Sequence, residues 1–382
     1  MNNESVNSKY GVYTIKESDD VKVFISENYK YHLDKNNGHF IRTGKTLADD
    51  PSMSVFGPEI ADIEISTICH GIPPVGMDKP VPCKFCYKSN SGRGENMSLD
   101  TFKQIFHKFP RSLTQIAFGI GDIDSNPDLW NIMRYCRDNN YQFIVPNVTV
   151  NGYNLKDEYV QNLKELCGAV AVSRYKNYDV CYDAVKKLTD AGMDQVNIHM
   201  LVSEETFEDC LQVVKDKASD PRLEKLNAIV FLSLKPVGKT NTYKSLDSKR
   251  YREIIDLALD LKVGIGFDSC SAPKFLKAVE DCEAFEAYKV LAEPCESFSF
   301  SIYVNQRGEV TPCSFLEHSD KYKPINLLEV NDFMDEVWHS DLANTFRSHL
   351  AETESKCSMD CRMCPAFDIY GPELYKKAND VE

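Results

Sequence analysis

Two periodicities divide the chain. Between residues 60 and 268, short apolar runs of strand length alternate with longer stretches whose apolar residues recur every three or four positions. The runs at 60–66, 115–119, 142–150, 168–173, 195–202, 228–234 and 263–268 read as strands. Between them the spacing predicts helices over 99–109, 126–139, 156–166, 180–191, 204–217 and 248–262. Local signals agree. Ser98 suits an N-cap, Asn126-Pro127 opens a helix with proline near its first turn, and Gly192 ends one. Strands alternating with helices predict an α/β fold: a parallel sheet with right-handed crossovers, whose six units fit an open or partial barrel. Ligands of such barrels gather at the C-terminal ends of the strands. That places Cys69, Gly119, Asn151, Ser173, Val202 and Leu234 on one rim.

The first 58 residues do not follow this alternation. Apolar or aromatic runs at 21–26 and 29–33, the turn signal Asn36-Asn37-Gly38 and a return at 39–42 predict a β-hairpin, broken by Asp49-Asp50-Pro51. The expected organisation is an N-terminal extension over 1–58, the barrel over 59–268 and a cysteine-rich domain over 269–382. A chain of 382 residues exceeds one small core, and 42% hydrophobic with 27% charged residues suits a soluble globular protein rather than a disordered one. No apolar run reaches membrane-spanning length, so no membrane partner is expected. Residues 1–10 lack the apolar core of a secretion signal, which leads to the cytoplasm as the expected compartment. A net charge of −14 disfavours non-specific nucleic-acid binding, and a nucleic-acid substrate is unsupported.

Fourteen cysteines change the picture. A reducing compartment leaves structural disulfides out. Cys136, Cys167, Cys181 and Cys210 stand singly in helical or apolar stretches and read as buried thiols. The other ten fall into an early group (Cys69, Cys83, Cys86) and a late one (Cys270, Cys282, Cys295, Cys313, Cys357, Cys361, Cys364). Cys83-Lys84-Phe85-Cys86 is a C-x-x-C that a structural zinc, a redox dithiol or an iron–sulfur cluster would each use. Together with Cys69 it supplies three thiols just after the first strand. A 4Fe–4S cube usually takes four thiolates, so three leave one iron open to another ligand.

This early segment resembles the radical S-adenosylmethionine (SAM) superfamily. Its usual motif is C-x3-C-x2-C after the first barrel strand, with an aromatic residue before the last cysteine. Cys83, Phe85 and Cys86 match the second half. The gap from Cys69 to Cys83 is longer than the family's, and its Gly- and Pro-rich composition reads as a loop excursion that returns to its start. The resemblance implies a SAM-binding 4Fe–4S cluster on Cys69, Cys83 and Cys86. It also implies SAM contacts from Gly119, Gly121 and Asp122, in place of the family's Gly-Gly-Glu, and from Asn151, Ser173, Arg174 and His199. Gly119 to Asp122 also fits an ordinary strand-to-helix turn, and His199 an ordinary core histidine.

The late group resembles the SPASM/twitch auxiliary-cluster extension of the same superfamily. Cys295 precedes a hairpin over 299–304 and 309–313, turned at Gln306-Arg307-Gly308, and Gly308 to Cys313 has the extension's Gly-x4-Cys spacing. Cys357-x3-Cys361-x2-Cys364-Pro365 follows. One auxiliary 4Fe–4S cluster is implied, with Cys295, Cys313, Cys361 and Cys364 as first-choice ligands and Cys270 or Cys357 as substitutes. Cys282, read within a helical stretch, is the least involved. A closed zinc site of four thiolates is the alternative. The function implied is that of an oxidoreductase cleaving SAM reductively to a 5′-deoxyadenosyl radical, which takes hydrogen from a substrate, most readily a peptide or protein. Flavodoxin or ferredoxin would supply the electron. Radical modification of a nucleotide or small molecule, or a non-catalytic zinc or iron–sulfur protein, are the alternatives. The N-terminal extension would either recognise a leader peptide or cap the sheet and plug the barrel.

Overall fold

The computed structural model describes residues 2–46, 49, 51–139 and 141–377; Asp50 of the predicted breaker lies outside them. The N-terminal extension is a five-stranded antiparallel sheet in sequence order: β1 (Asn2–Ser8), β2 (Gly11–Glu17), β3 (Val21–Ile25), β4 (Lys30–Asp34) and β5 (Phe40–Thr43). β4 and β5 pair across the turn at 36–38. β1 and β2 were not expected because polar side chains dominate them. Tyr13 and Ile15 still face a small core with Phe24, Tyr31, Leu33 and Phe56.

The main sheet runs in parallel, sequence-ordered fashion through β6 (Ile60–Glu64), β7 (Gln115–Gly119), β8 (Val145–Val150), β9 (Val170–Ser173), β10 (Val196–Val202), β11 (Ala228–Ser233) and β12 (Ile265–Phe267). The crossover helices are α1 (Leu99–Phe106), α2 (Leu129–Arg137), α3 (Asp157–Leu166), α4 (Tyr178–Asp190), α5 (Phe207–Ser219) and α6 (Ser248–Leu261). α2 starts later than Asn126 because that side chain donates instead to the carbonyls of Ile65 (2.7 Å) and Met97 (3.0 Å). Alternate strand residues such as Ile63, Phe118, Val150, Val172, Met200 and Phe231 form one core with these helices, which also buries Cys136, Cys167, Cys181 and Cys210. Right-handed crossovers put every helix on the same face, and the sheet curls to shelter the other. That inner face carries Asp62, Ala117, Asn147, Ser173, His199 and Val230, all small, polar or only half-buried.

After α7 (Ala272–Ala278) and α8 (Phe285–Leu291), β13 (Ser301–Val304) returns to pair in parallel with β6. β14 (Glu309–Thr311) folds back on β13, and β15 (Ile325–Asn326) on β14. α9 (Asp341–Lys356) leads to the last cysteines. Cys282 lies between α7 and α8, in a turn closed by Phe285 N–H to its carbonyl, not inside a helix.

The N-terminal sheet packs at the opposite end of the barrel from the early cysteines. Tyr31 Oη lies 2.8 Å from Thr114 Oγ1, and Lys22 Nζ donates to the Arg111 carbonyl at 3.1 Å, both just ahead of β7. Arg42 grips Glu59 ahead of β6 at 2.8 Å, reaches Glu296 at 2.9 Å and stacks on Phe300. The extension therefore packs against the segments that lead into β6 and β7. Among the described residues no helix is long and apolar enough to cross a membrane.

Candidate functional site

The loop after β6 builds the rim. Its excursion closes on itself: Val81 N–H donates to the Ile72 carbonyl at 3.0 Å, and Cys69 N–H to Ser91 at 3.1 Å. A tight turn then links the other two thiols, Cys86 N–H donating to the Cys83 carbonyl at 3.2 Å. Burial, followed by Asp122's charge, pushes the Cys69 thiol up to about 11. Burial, then Cys86 and Cys69, pushes Cys83 up to about 12. The three sulfurs are thus within electrostatic reach of one another across the long gap.

Two glycines hold this loop where a side chain would not fit. A Cβ on Gly121 would lie 2.4 Å from Cys69 Cβ, and one on Gly238 2.3 Å from the Cys86 carbonyl oxygen, with Gly238 also at φ +112°. Gly238→Ala should push the Cys86 segment outward, at a cost of about 1–3 kcal/mol locally. We expect less iron bound at the early cysteines and an unchanged amount at the late ones, read by iron assay after anaerobic reconstitution.

The other rim residues divide. Asp122 accepts from His70 N–H at 2.8 Å and from Asn151 Nδ2 at 3.0 Å, so it braces the loop behind Cys69. Phe85 packs on Tyr243 (5.2 Å between ring centres) and Tyr175 (5.9 Å). Tyr175 in turn reaches Ser173 and Cys83. Gly119 ends β7 against Glu64. Arg174 lies instead between α4 and α5, over Tyr178 and 3.2 Å from Asp209 Oδ1, with its buried Nε and Nη1 lacking hydrogen bonds. Its charge is therefore already met by the Asp209 carboxylate.

His199 is on the inner face without a side-chain partner among the described residues, and burial lowers its pKa to about 4 from 6.5. The unfolded chain therefore binds a proton between those values that the folded chain refuses. His199 makes the protein lose stability as pH falls through that window, by up to about 2 kcal/mol after screening. Asp62, raised to about 6 by burial and Glu296, acts with the opposite sign. The check is the difference between His199→Gln and wild type in urea midpoints at pH values across that window: the variant should lose less.

Four late thiols come together: Cys270, Cys295, Cys313 and Cys364. Cys313 is raised by burial and by the other three, and Cys270, at about 12, by burial and then by Asp268 and Cys295, opposed by Lys235. Cys361 is raised by burial and then by Cys357, with Cys295 also within electrostatic reach, so it borders the same group. Between the two thiol groups lies a buried network that sequence spacing gave no sign of. Lys88 Nζ is 2.5 Å from Glu64 Oε2, donates to Tyr303 Oη at 2.6 Å and pairs with Glu317, while Tyr303 donates to Glu64 at 2.5 Å. Lys235 Nζ, 2.9 Å from Asp268, covers the ring of Phe315.

These donor sets fit iron–sulfur clusters. Thiols pushed this high become ligands only when a metal compensates their charge. Among the described residues no three His, Cys, Asp or Glu side chains converge as ligands of one ion. A tetrahedral zinc gathers its sulfurs about 2.3 Å from a single centre, whereas the thiolates of a cube attach to separate irons.

Residues 295–365 match the SPASM family, an iron–sulfur cluster-binding domain. No curated protein matches the chain in sequence. Streptococcus suis SuiB bound to S-adenosylmethionine superposes with a TM-score of 0.65 at 14% identity, over 94% of this chain and 98% of that one. SuiB bound to its precursor peptide SuiA gives 0.62 at 13% identity, over 87% and 90%. anSMEcpe with bound AdoMet gives 0.57 at 15% identity, over 84% and 89%. The chain thus shares the α/β fold of these solved structures, and its residues 295–365 carry the match to the iron–sulfur cluster-binding SPASM domain.

Proposed function

We infer that the protein is a radical SAM enzyme that modifies a peptide or protein, working in the cytoplasm with an electron donor such as flavodoxin or ferredoxin. The barrel over 59–268 is the partial (β/α)6 unit, with the extension over 1–58 below it and the auxiliary domain over 269–382 beside it. The observation that carries the reading is that Cys69, Cys83 and Cys86 lie within electrostatic reach of one another on the rim loop, with a second group of thiols around Cys313, of which Cys295, Cys313 and Cys364 fall in the matched domain. When bound, a 4Fe–4S cluster on the early trio would supply the electron that cleaves SAM to a 5′-deoxyadenosyl radical.

The remaining roles belong to the chain itself. Asp122, braced by His70 and Asn151, and the bare backbone at Gly119 and Gly121 would receive the SAM ammonium. Ser173 and His199 would flank the adenosyl group, while Arg174, paired with Asp209 between α4 and α5, would brace the strand end that carries Ser173. Neutral His199 and the half-buried inner face would keep bulk water from the reacting carbon. Cys270, Cys295, Cys313 and Cys364 would hold one auxiliary 4Fe–4S cluster. Two features support a peptide substrate: SuiB, of similar fold, has been crystallised with its precursor peptide, and the inner face is open beside β12.

Anaerobic reconstitution tests this reading. The enzyme should turn brown and release 5′-deoxyadenosine from SAM plus dithionite. A protein that takes up zinc and no iron would refute it.

A further inference from the structure

β12 ends the ten-stranded sheet with an edge that no described strand covers. Hydrogen bonding alternates along a parallel strand. Ile229 N–H donates to the Gly264 carbonyl (3.1 Å) and Asp268 N–H to the Phe231 carbonyl (2.9 Å), so even-numbered residues turn their backbone to β11. Ile265 and Phe267 therefore turn theirs outward, and no described residue bonds to those groups. Natural edges are usually blunted by proline, charge or a covering element. Gly264-Ile265-Gly266-Phe267 offers no such guard.

The outward groups open on a cavity of about 650 Å³ between β12, α6, α7 and α8, with Phe275, Tyr288 and Leu291 on its far side. α8 buries none of its own side chains, and Val290 and Leu291 are each 75% exposed. A Cβ on Gly266 would meet nothing within 4 Å, so a side chain entering there has room. A free strand edge thus faces an apolar wall, and each lacks a partner that the other cannot supply.

Charge narrows the occupant. Glu296 lines this cavity but is paired with Arg42 at 2.9 Å, and Asp268 is paired with Lys235 at 2.9 Å. Asp62, on the inner face and within electrostatic reach of Glu296, is open to solvent. It has no ion pair or hydrogen bond among the described residues. A carboxylate held in such a lumen is complementary to a cation.

We propose that the free edge of β12 is a docking strand for an extended peptide segment, which adds one strand to the sheet and sends a lysine or arginine side chain inward toward Asp62. Strand addition supplies main-chain bonds from every second peptide residue, and the side chains between them give selectivity. This deepens the peptide-modifying reading and rests on it.

The test uses the full chain, reconstituted anaerobically. The probe is a fluorescent dodecapeptide of alternating threonine and valine with a central lysine, beside a norleucine counterpart. Hydrogen exchange at the Ile265 and Phe267 amides should slow about tenfold or more with the lysine peptide. Norleucine, or Asp62→Asn, should weaken binding about tenfold. N-methylation of alternate peptide residues should abolish binding in one register and spare it in the other. Protection away from β12, equal loss in both registers, or protection that depends on protein concentration without peptide would overturn the proposal, the last by pointing to a second copy on the edge. SAM cleavage in the same sample separates the two ideas. Cleavage without protection at β12 removes the docking strand and leaves the enzyme; protection without cleavage does the reverse.

Discussion

Alanine at both Cys83 and Cys86 is expected to remove the first cluster and all SAM cleavage with it. These two thiols share one turn, and Cys69 alone cannot anchor a cube. Losing one supporting group at a metal site commonly costs about 10–100-fold in affinity, so losing two ligands should leave no measurable occupancy. Iron content should fall by about four per chain, leaving the auxiliary set in place. The fold should survive, because the loop from Cys69 to Ser89 contributes little to the main core, which lies between the strands and α1 to α6. Iron assay, visible absorbance and chromatography of 5′-deoxyadenosine check this together. Retention of the full iron content would contradict it.

Alanine at Cys313 is expected to remove about four irons of the other set and to lower thermal stability. Cys313 sits at the centre of the late quartet, reached by Cys270, Cys295 and Cys364. SAM cleavage without substrate should persist at least in part, since the early trio lies on a separate loop. The comparison of Cys270→Ala with Cys361→Ala is sharper. We expect the first to lose the auxiliary iron and the second to keep it, because Cys270 is among the thiols that act on Cys313 and Cys361 is not. Equal loss from both would mean that Cys361 is a ligand too.

The parallel sheet was legible because strand-length segments, largely alternating at 195–202 and continuously apolar at 228–232, are separated by helix-period stretches. The early trio was legible because C-x-x-C is a local spacing, and a Gly- and Pro-rich gap can fold back on itself. Three things were hidden. β1 buries no described side chain and β2 only Tyr13 and Ile15, which hides both strands from a hydrophobicity reading. The late thiols come from separate segments, and spacing alone gave no sign that Cys270 lies within electrostatic reach of Cys313. The Glu64–Lys88–Tyr303–Glu317 network joins three parts of the chain through a β6–β13 pairing that no local pattern announces.

The most direct test of the central claim is hyperfine spectroscopy of the reduced Cys313→Ala protein with SAM labelled by oxygen-17 in its carboxylate. With only the early cluster present, the reading predicts a paramagnetic 4Fe–4S signal that shifts on adding SAM and shows coupling to the labelled oxygen. A cluster signal indifferent to SAM, with no oxygen-17 coupling, would contradict it.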